Sequence, residues 1–195
     1  MMKITIFIPM MIAFPLHSCT KTIKNEKVTI IKDTNTVYNS TTQYLKSRNI
    51  PDYIFEMDSL KILSIQGMDC DYGDTTNCWM IHKISSKIGN LTNLESLALP
   101  VNSLRELPLE MRKLQKLKMV NLSDNPGLSN IDVLVQIPSM EILNLFGCSL
   151  TKLPDNIGNL ADLKELGLTG NSLSDAEIAR IKKALPNCTI YYENN

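Results

Sequence analysis

One repeating pattern of apolar residues determines how most of this chain can fold. The pattern reads Leu-x-x-Leu-x-Leu-x-x-Asn, with a few conservative replacements. Its four clear copies start at Leu94, Leu117, Met140 and Leu163, so the interval between successive starts is the same each time. A fixed period of this kind is typical of solenoids, in which a unit that cannot bury its own apolar face is stacked on similar neighbours.

Weaker copies flank the four clear ones. Leu60-x-x-Leu63-x-Ile65 precedes them, and Leu185-x-x-Cys188-x-Ile190 follows them, which places Cys188 level with Leu166. Each copy predicts one short parallel strand whose alternate apolar residues point inward. The chain then turns at the asparagine, whose amide can satisfy backbone groups that would otherwise be buried without partners.

This organisation resembles the leucine-rich-repeat family across residues 50–195. The resemblance implies an α/β fold: a short solenoid with a concave parallel sheet of about six strands and an irregular or helical convex side. Ser174 and Glu177 fit a helix-capping box, which predicts a C-terminal cap helix. The copy that starts at Leu117 continues one residue out of phase through Asn125-Pro-Gly, so its outer segment should differ locally.

The start of the chain is typical of an export signal. Lys3 is followed by an uncharged, mainly apolar run from Ile4 to Leu16. This run is shorter than the roughly 20 residues that a membrane-spanning helix needs, but it fits the middle of a signal peptide. Leu16-His17-Ser18-Cys19 resembles a bacterial lipobox, which implies that Cys19 is acylated and becomes the N-terminus. The alternative is an ordinary signal peptide that is cut nearby and leaves Cys19 as a free thiol.

The chain therefore divides into three segments. Residues 1–18 are the predicted lipoprotein signal peptide, residues 19–39 a polar and flexible tether, and residues 40–195 the repeat domain with its N- and C-terminal caps. No acidic cluster follows Cys19. We therefore expect a lipid-anchored protein of the bacterial outer membrane, on its periplasmic side, with the cell surface as the alternative.

Two of the remaining cysteines lie in an insertion that lengthens the unit starting at Leu60, whose successor begins only at Leu94. Cys70 and Cys78 would close a small loop there, and an exported location permits a disulfide bond between them. The alternative is two free thiols. Cys148 and Cys188 are expected to be unpaired, because two strand spacings of about 5 Å each exceed the reach of a disulfide.

No pattern in the sequence indicates catalysis or a cofactor. The 20 basic and 20 acidic side chains balance, so bulk charge does not favour nucleic acid. Beyond the signal segment the chain has one histidine, His82, with no nucleophile motif beside it. Asp69, Asp71 and Asp74 lack the downstream glutamate of a calcium loop and are interpreted as an exposed acidic turn. We predict a protein that is not an enzyme and holds no metal.

The residues that alternate with the buried leucines should project from the concave face. At its centre they combine apolar and uncharged polar side chains, namely Met119, Asn121, Ile142, Asn144 and Phe146. Such a mixture is the usual composition of a protein-binding patch, although these side chains could instead merely cover one another. We predict a monomer that binds a protein or peptide here. The alternatives are a structural envelope lipoprotein without a dedicated ligand and a carbohydrate-binding surface protein.

Overall fold

A single parallel sheet runs through the whole described part of the chain. The computed structural model describes residues 36–41, 45, 47–67 and 80–193. Its seven strands lie side by side in sequence order, each parallel to the next. They are β1 (Val37–Thr41), β2 (Ile62–Gln66), β3 (Ser96–Ala98), β4 (Met119–Asn121), β5 (Ile142–Asn144), β6 (Glu165–Gly167) and β7 (Thr189–Tyr191).

The predicted register is confirmed in the centre of the sheet. Leu97 pairs with Val120, Val120 with Leu143, and Leu143 with Leu166. None of these four side chains is more than 1% exposed. The constant repeat interval therefore places equivalent residues on adjacent rungs of one buried stack.

The sheet has one strand more than the six or so expected. β1 pairs in parallel with β2, with Tyr38 opposite Leu63, and it spans the predicted boundary between tether and domain at residues 39 and 40. Its inward residues are Tyr38 and Ser40. The aliphatic repeat does not include this strand, because an aromatic ring and a hydroxyl occupy the places where later strands have leucine or isoleucine.

The register predicted for the last copy is wrong by two residues. Ile190, rather than Cys188, pairs with Leu166, and Thr189 pairs with Glu165. The α-helix α1 (Asp175–Ala184) forms the return segment here, where earlier units have a 3₁₀ helix, and it changes the distance to the next strand. Cys148 and Cys188 are both free thiols, as predicted.

The convex side consists of short 3₁₀ helices and turns. The helices are Asp52–Glu56, Ser86–Asn90, Leu109–Lys113, Leu134–Gln136 and Ile157–Asn159. Pro51, Ser85 and Pro108 precede the first three in an extended conformation that suits proline at a helix start. No helix among the described residues has the length and hydropathy needed to span a bilayer.

A ladder of buried asparagines joins successive units. Asn125 is fully buried; its Nδ2 donates to the carbonyl oxygens of Leu99 at 3.0 Å and Leu122 at 2.9 Å, and its Oδ1 accepts from the Leu104 N–H at 3.0 Å. Asn102 makes the equivalent contacts one rung earlier. One amide therefore satisfies donors and acceptors of two neighbouring turns, as the sequence predicted.

Cys148 occupies the next position of this ladder. Its thiol donates to the Leu122 carbonyl oxygen at 3.1 Å but offers no oxygen to accept a backbone N–H. The N–H that would need an acceptor belongs to Leu128, and it donates instead to the carbonyl oxygen of Asn125 at 3.0 Å. The out-of-phase Asn125-Pro-Gly turn thus removes the need for an asparagine at position 148. Burial raises the pKa of Cys148 to about 11, so the thiol keeps its proton at neutral pH.

The C-terminal helix α1 is bound to the preceding unit by a buried charge pair. The Ser174 side chain accepts from the Glu177 N–H, which is one half of the predicted capping box. The Glu177 carboxylate, only 8% exposed, accepts from the Leu153 N–H at 2.8 Å and from Arg180. Arg180 also donates to the Leu153 carbonyl oxygen, and its guanidinium holds the pKa of Glu177 below its usual value. Helix α1 is therefore an integral cap of the solenoid.

Candidate functional site

The concave face is lined by the alternate residues of each strand. Along β4 and β5 the inward Val120 and Leu143 are buried, while their flanking neighbours are half-buried. Met119 pairs in register with Ile142, and Asn121 pairs with Asn144. The strands therefore place side chains of the same kind on adjacent rungs.

All five residues predicted from the sequence lie together on this face, and we refer to them as the concave patch. They are Met119, Asn121, Ile142, Asn144 and Phe146. Phe146 follows β5 directly and is 41% exposed, the most exposed apolar side chain of the concave face among the described residues. The ring of Phe146 and the half-buried pair Met119–Ile142 lie on opposite sides of the two asparagines, so the patch has two apolar contacts of the kind that protein interfaces bury.

The two asparagines of the concave patch hold fixed orientations. Asn121 Oδ1 accepts from the Ser123 N–H at 3.0 Å, and Asn144 Oδ1 accepts from the Phe146 N–H at 3.0 Å. Both amide oxygens are therefore used within the chain, while no described residue accepts a hydrogen bond from either Nδ2 group. Each amide retains two donors that a ligand carbonyl could use.

Gly167 on the next strand gives room to the side chain of Asn144. It takes the same register position as Asn144 on β5. A Cβ atom at Gly167 would lie 2.8 Å from Asn144 Oδ1, which is closer than side chains tolerate. Gly167 is itself buried, because the amide of Asn144 lies over the place that its side chain would take.

One charged side chain faces the concave side among the described strands. Glu165 begins β6, pairs in register with Ile142 and is half-buried. It forms no ion pair with any described residue. This carboxylate lies next to the apolar part of the concave patch, at the register position of Ile142.

Alternating charges flank the concave face at the residue before each strand, a feature that the sequence analysis missed. The positions are Lys61, Glu95, Lys118, Glu141 and Lys164. Lys61 pairs with Glu95 at 2.9 Å, and Glu141 pairs with Lys118 at 3.4 Å and with Lys164. Lys164 lowers the pKa of Glu141, while Glu141 raises the pKa of Lys164. The alternation of sign from one repeat to the next was the available signal.

Several predicted positions lie outside the described residues. They are Cys19, with the predicted acylation, the cysteines Cys70 and Cys78, and the acidic turn Asp69, Asp71 and Asp74. His82 is described and is exposed on the surface. No cluster of three or more metal-binding side chains occurs within the ranges that the structure describes.

Comparison with solved structures identifies the fold. A leucine-rich-repeat protein of Leptospira interrogans superposes with a TM-score of 0.57 at 27% identity, covering 73% of this chain and 40% of that protein. The leucine-rich-repeat domain of the type III effector XopL gives a TM-score of 0.55 at 27% identity, covering 74% of this chain and 57% of that domain. The chain is therefore a short leucine-rich-repeat solenoid, a fold whose usual role is protein–protein interaction.

Comparison with curated proteins gives a similar result, with a smaller share of the relative covered. No protein-family model matches the chain. The mouse volume-regulated anion channel subunit LRRC8B is 29% identical over 168 residues, which is 78% of this chain but 19% of the channel subunit. The chain thus spans about a fifth of that relative, and the similarity concerns the repeats.

Proposed function

We propose that this protein is a non-enzymatic, membrane-anchored binding module that captures a protein or peptide on its concave face. The observation that supports this proposal is the concave patch, in which the fixed amides of Asn121 and Asn144 lie between the register pair Met119–Ile142 and exposed Phe146. Burying an aromatic ring and two aliphatic side chains against a partner is favourable by about 25 cal/mol per Å² of apolar area. Binding by complementarity requires no moving part.

The solenoid suits this role because its strands hold the contact residues rigidly. A side chain that is already restricted by its neighbours loses little conformational freedom on binding, and this loss otherwise costs about 0.5–1.5 kcal/mol for each side chain. The amides of Asn121 and Asn144 are each oriented by a backbone N–H. The patch is therefore organised before a partner arrives.

The test is capture of partners by crosslinking from a photoreactive residue placed next to Phe146, followed by identification of the captured species. The double variant Met119→Glu with Phe146→Glu should lose this capture, because two carboxylates would have to be buried without partners. Leu109→Glu is the matched control: Leu109 is 52% exposed and lies on the convex side. Equal capture by the double variant and the control, with both variants folded, would remove the concave face from consideration.

The anchor is a separate part of the proposal. We infer that Cys19 carries the lipid and that the protein is attached to the outer membrane of a bacterial envelope, facing the periplasm. Metabolic labelling with a fatty acid should mark the wild-type protein and leave Cys19→Ser unlabelled. Digestion of intact cells by an added protease distinguishes the two faces, since only a protein on the cell surface would be cleaved.

The third part of the proposal concerns the insertion between β2 and β3. We propose that Cys70 and Cys78 form a disulfide bond, which would stabilise a loop of this size by about 2–3 kcal/mol in the chain-entropy model. Mass spectrometry of the exported protein without reduction should give a crosslinked peptide containing both cysteines. Quantitative alkylation of both thiols before reduction would show that the bond is absent.

A further inference from the structure

We propose that Glu165 selects a basic side chain of the ligand, so that the concave face takes an extended peptide segment with an apolar residue and a lysine or arginine two positions apart. This inference rests on the proposed function, since it concerns what the concave patch binds. It assigns a recognition role to a residue outside the five that form the patch.

Glu165 differs from the flanking glutamates in its ion pairing. Glu95 and Glu141 each pair with lysines of the flanking row, at the position before the strand. Glu165 lies one residue further along and faces the concave side, and its neighbour Lys164 is held by Glu141. Glu165 is half-buried, and no described residue forms an ion pair with it, whereas Glu95 and Glu141 each pair with a lysine. A ligand cation would supply the missing charge.

The rest of the concave face carries no charged side chain at its strand positions. The concave positions of β2 to β5 carry hydroxyl, amide, small and aliphatic side chains. They are Ile62, Ser64, Gln66, Ser96, Ala98, Met119, Asn121, Ile142 and Asn144. Because Glu165 is the one charged side chain at the concave positions of β2 to β6, it offers a charged ligand group one position on the face itself.

The distance between Ile142 and Glu165 also supports this inference. Glu165 pairs with Ile142, and Ile142 pairs with Met119, so that the carboxylate and the aliphatic pair lie on successive strands about 5 Å apart. Side chains two residues apart in an extended peptide project from the same side and are separated by about 6.5–7 Å. The difference of about 2 Å is within the reach of a long lysine or arginine side chain, so a peptide that crosses the strands can place an apolar side chain on Ile142 and a cation at Glu165.

The space between these two contacts suits a peptide backbone. Asn144 lies on β5 one position beyond the inward Leu143, and its Nδ2 group has no acceptor among the described residues. Gly167 carries no side chain at the corresponding place on β6. A backbone carbonyl of the peptide can thus accept from Asn144 Nδ2 while the flanking side chains contact Ile142 and Glu165.

The experiment uses a phage library of random dodecapeptides, selected against the purified full-length protein and, in parallel, against its variants. We expect the wild-type protein to enrich peptides with an apolar residue two positions from a lysine or arginine. Glu165→Lys should abolish the basic preference, and Glu165→Gln should weaken binding of a synthesised enriched peptide by about tenfold at low salt, with a smaller effect at high salt. Asp132→Lys, a charge reversal on an exposed loop of the other side, should change neither result.

The outcomes separate this inference from the proposed function. Enrichment that depends on Met119 and Phe146 but shows no basic preference, or a basic preference that persists in Glu165→Lys, overturns the role of Glu165 and leaves the concave patch in place. A wild-type protein that enriches no more peptide than the Met119→Glu, Phe146→Glu double variant overturns both. Far-ultraviolet circular dichroism and the urea midpoint of each variant establish that it is folded.

Discussion

Replacing Asn125 should destabilise the protein far more than replacing Cys148, although the two residues occupy equivalent positions of the ladder. In Asn125→Ala the Leu104 N–H and the Leu99 carbonyl oxygen lose the partners that the amide provides. The Leu122 carbonyl oxygen keeps the thiol of Cys148. Two orphaned buried groups at about 1–3 kcal/mol each give an expected loss of about 4 kcal/mol in the free energy of unfolding.

Cys148→Ala should lower the free energy of unfolding much less than Asn125→Ala. The thiol has a single proton, which lies within reach of the carbonyl oxygens of Leu122 at 3.1 Å and Phe146 at 3.6 Å, and the Leu122 oxygen also accepts from Asn125 Nδ2 at 2.9 Å. The Leu128 N–H is satisfied by the carbonyl oxygen of Asn125 and is unaffected. The remaining cost is the small cavity left by one sulfur atom, about 1 kcal/mol.

The decisive variant is Cys148→Asn, which restores the residue that the repeat pattern has elsewhere. Its Nδ2 group could donate to the Leu122 carbonyl oxygen, but its Oδ1 would find no N–H, because that of Leu128 is already used. A buried amide oxygen without a donor should make this variant no more stable than the wild type. Urea unfolding followed by circular dichroism measures all three variants. A gain in stability for Cys148→Asn, or equal losses for Asn125→Ala and Cys148→Ala, would refute the compensation by the Asn125-Pro-Gly turn.

Three further variants test other parts of the structure. Val101 has a φ of +56°, which is unfavourable for a β-branched residue, so Val101→Gly should raise the free energy of unfolding by about 0.5–1 kcal/mol in the same urea assay, and a loss would contradict the strain. Arg180→Leu leaves the buried Glu177 carboxylate without its cation and should cost about 2–3 kcal/mol, whereas a neutral result would show that the pair does not fasten helix α1. Because Lys164 lowers the pKa of Glu141 below its value in the unfolded chain, the stability from that pair is present above about pH 4.5 and is lost as the pH falls through the lowered pKa. The wild type should therefore exceed Glu141→Gln in stability at pH 7 and lose that advantage near pH 3, and a difference that does not depend on pH would rule out the pair as its source.

The core register was predictable because burial restricts what can occupy an inward position. Leu97, Val120, Leu143 and Leu166 must be aliphatic to stack, and the constant interval between them repeats this demand at each rung. At the ends of the solenoid the demand is weaker. β1 places Tyr38 and Ser40 inward, so it does not repeat the aliphatic pattern.

The error in the last copy has a related cause. Cys188-x-Ile190 imitates the spacing of an inward pair, yet Ile190 alone takes the inward rung, opposite Leu166. Both Cys188 and Ile190 are half-buried, since no described rung covers them from outside. Because these positions are less buried, the terminal strand can pair through either Cys188 or Ile190, and the sequence pattern does not distinguish the two registers.

The concave patch was predictable in position because alternation along a strand determines which side chains project outward. Its environment was not, because exposure depends on neighbouring rungs: Phe146 is exposed partly because Gly170 on the next rung carries no side chain to cover it. The sequence analysis placed residues of this kind on the concave face without giving Glu165 a role. The role proposed for Glu165 depends on the lack of a lysine or arginine beside it among the described residues, which cannot be read from the sequence.

Stacking leaves the concave positions as the part of each repeat that is free to differ, because the inward residues and the turn asparagines are needed for the fold. In this chain that freedom is used unevenly. At the register position where β4 and β5 present asparagines, β2 and β3 present Ser64 and Ala98 and β6 presents Gly167, while Glu165 takes the register position of Ile142. Neither solubility nor packing requires such a change from small side chains to an amide, aliphatic and acidic group over three successive strands. A ligand that contacts β4 to β6 and avoids β2 and β3 accounts for it.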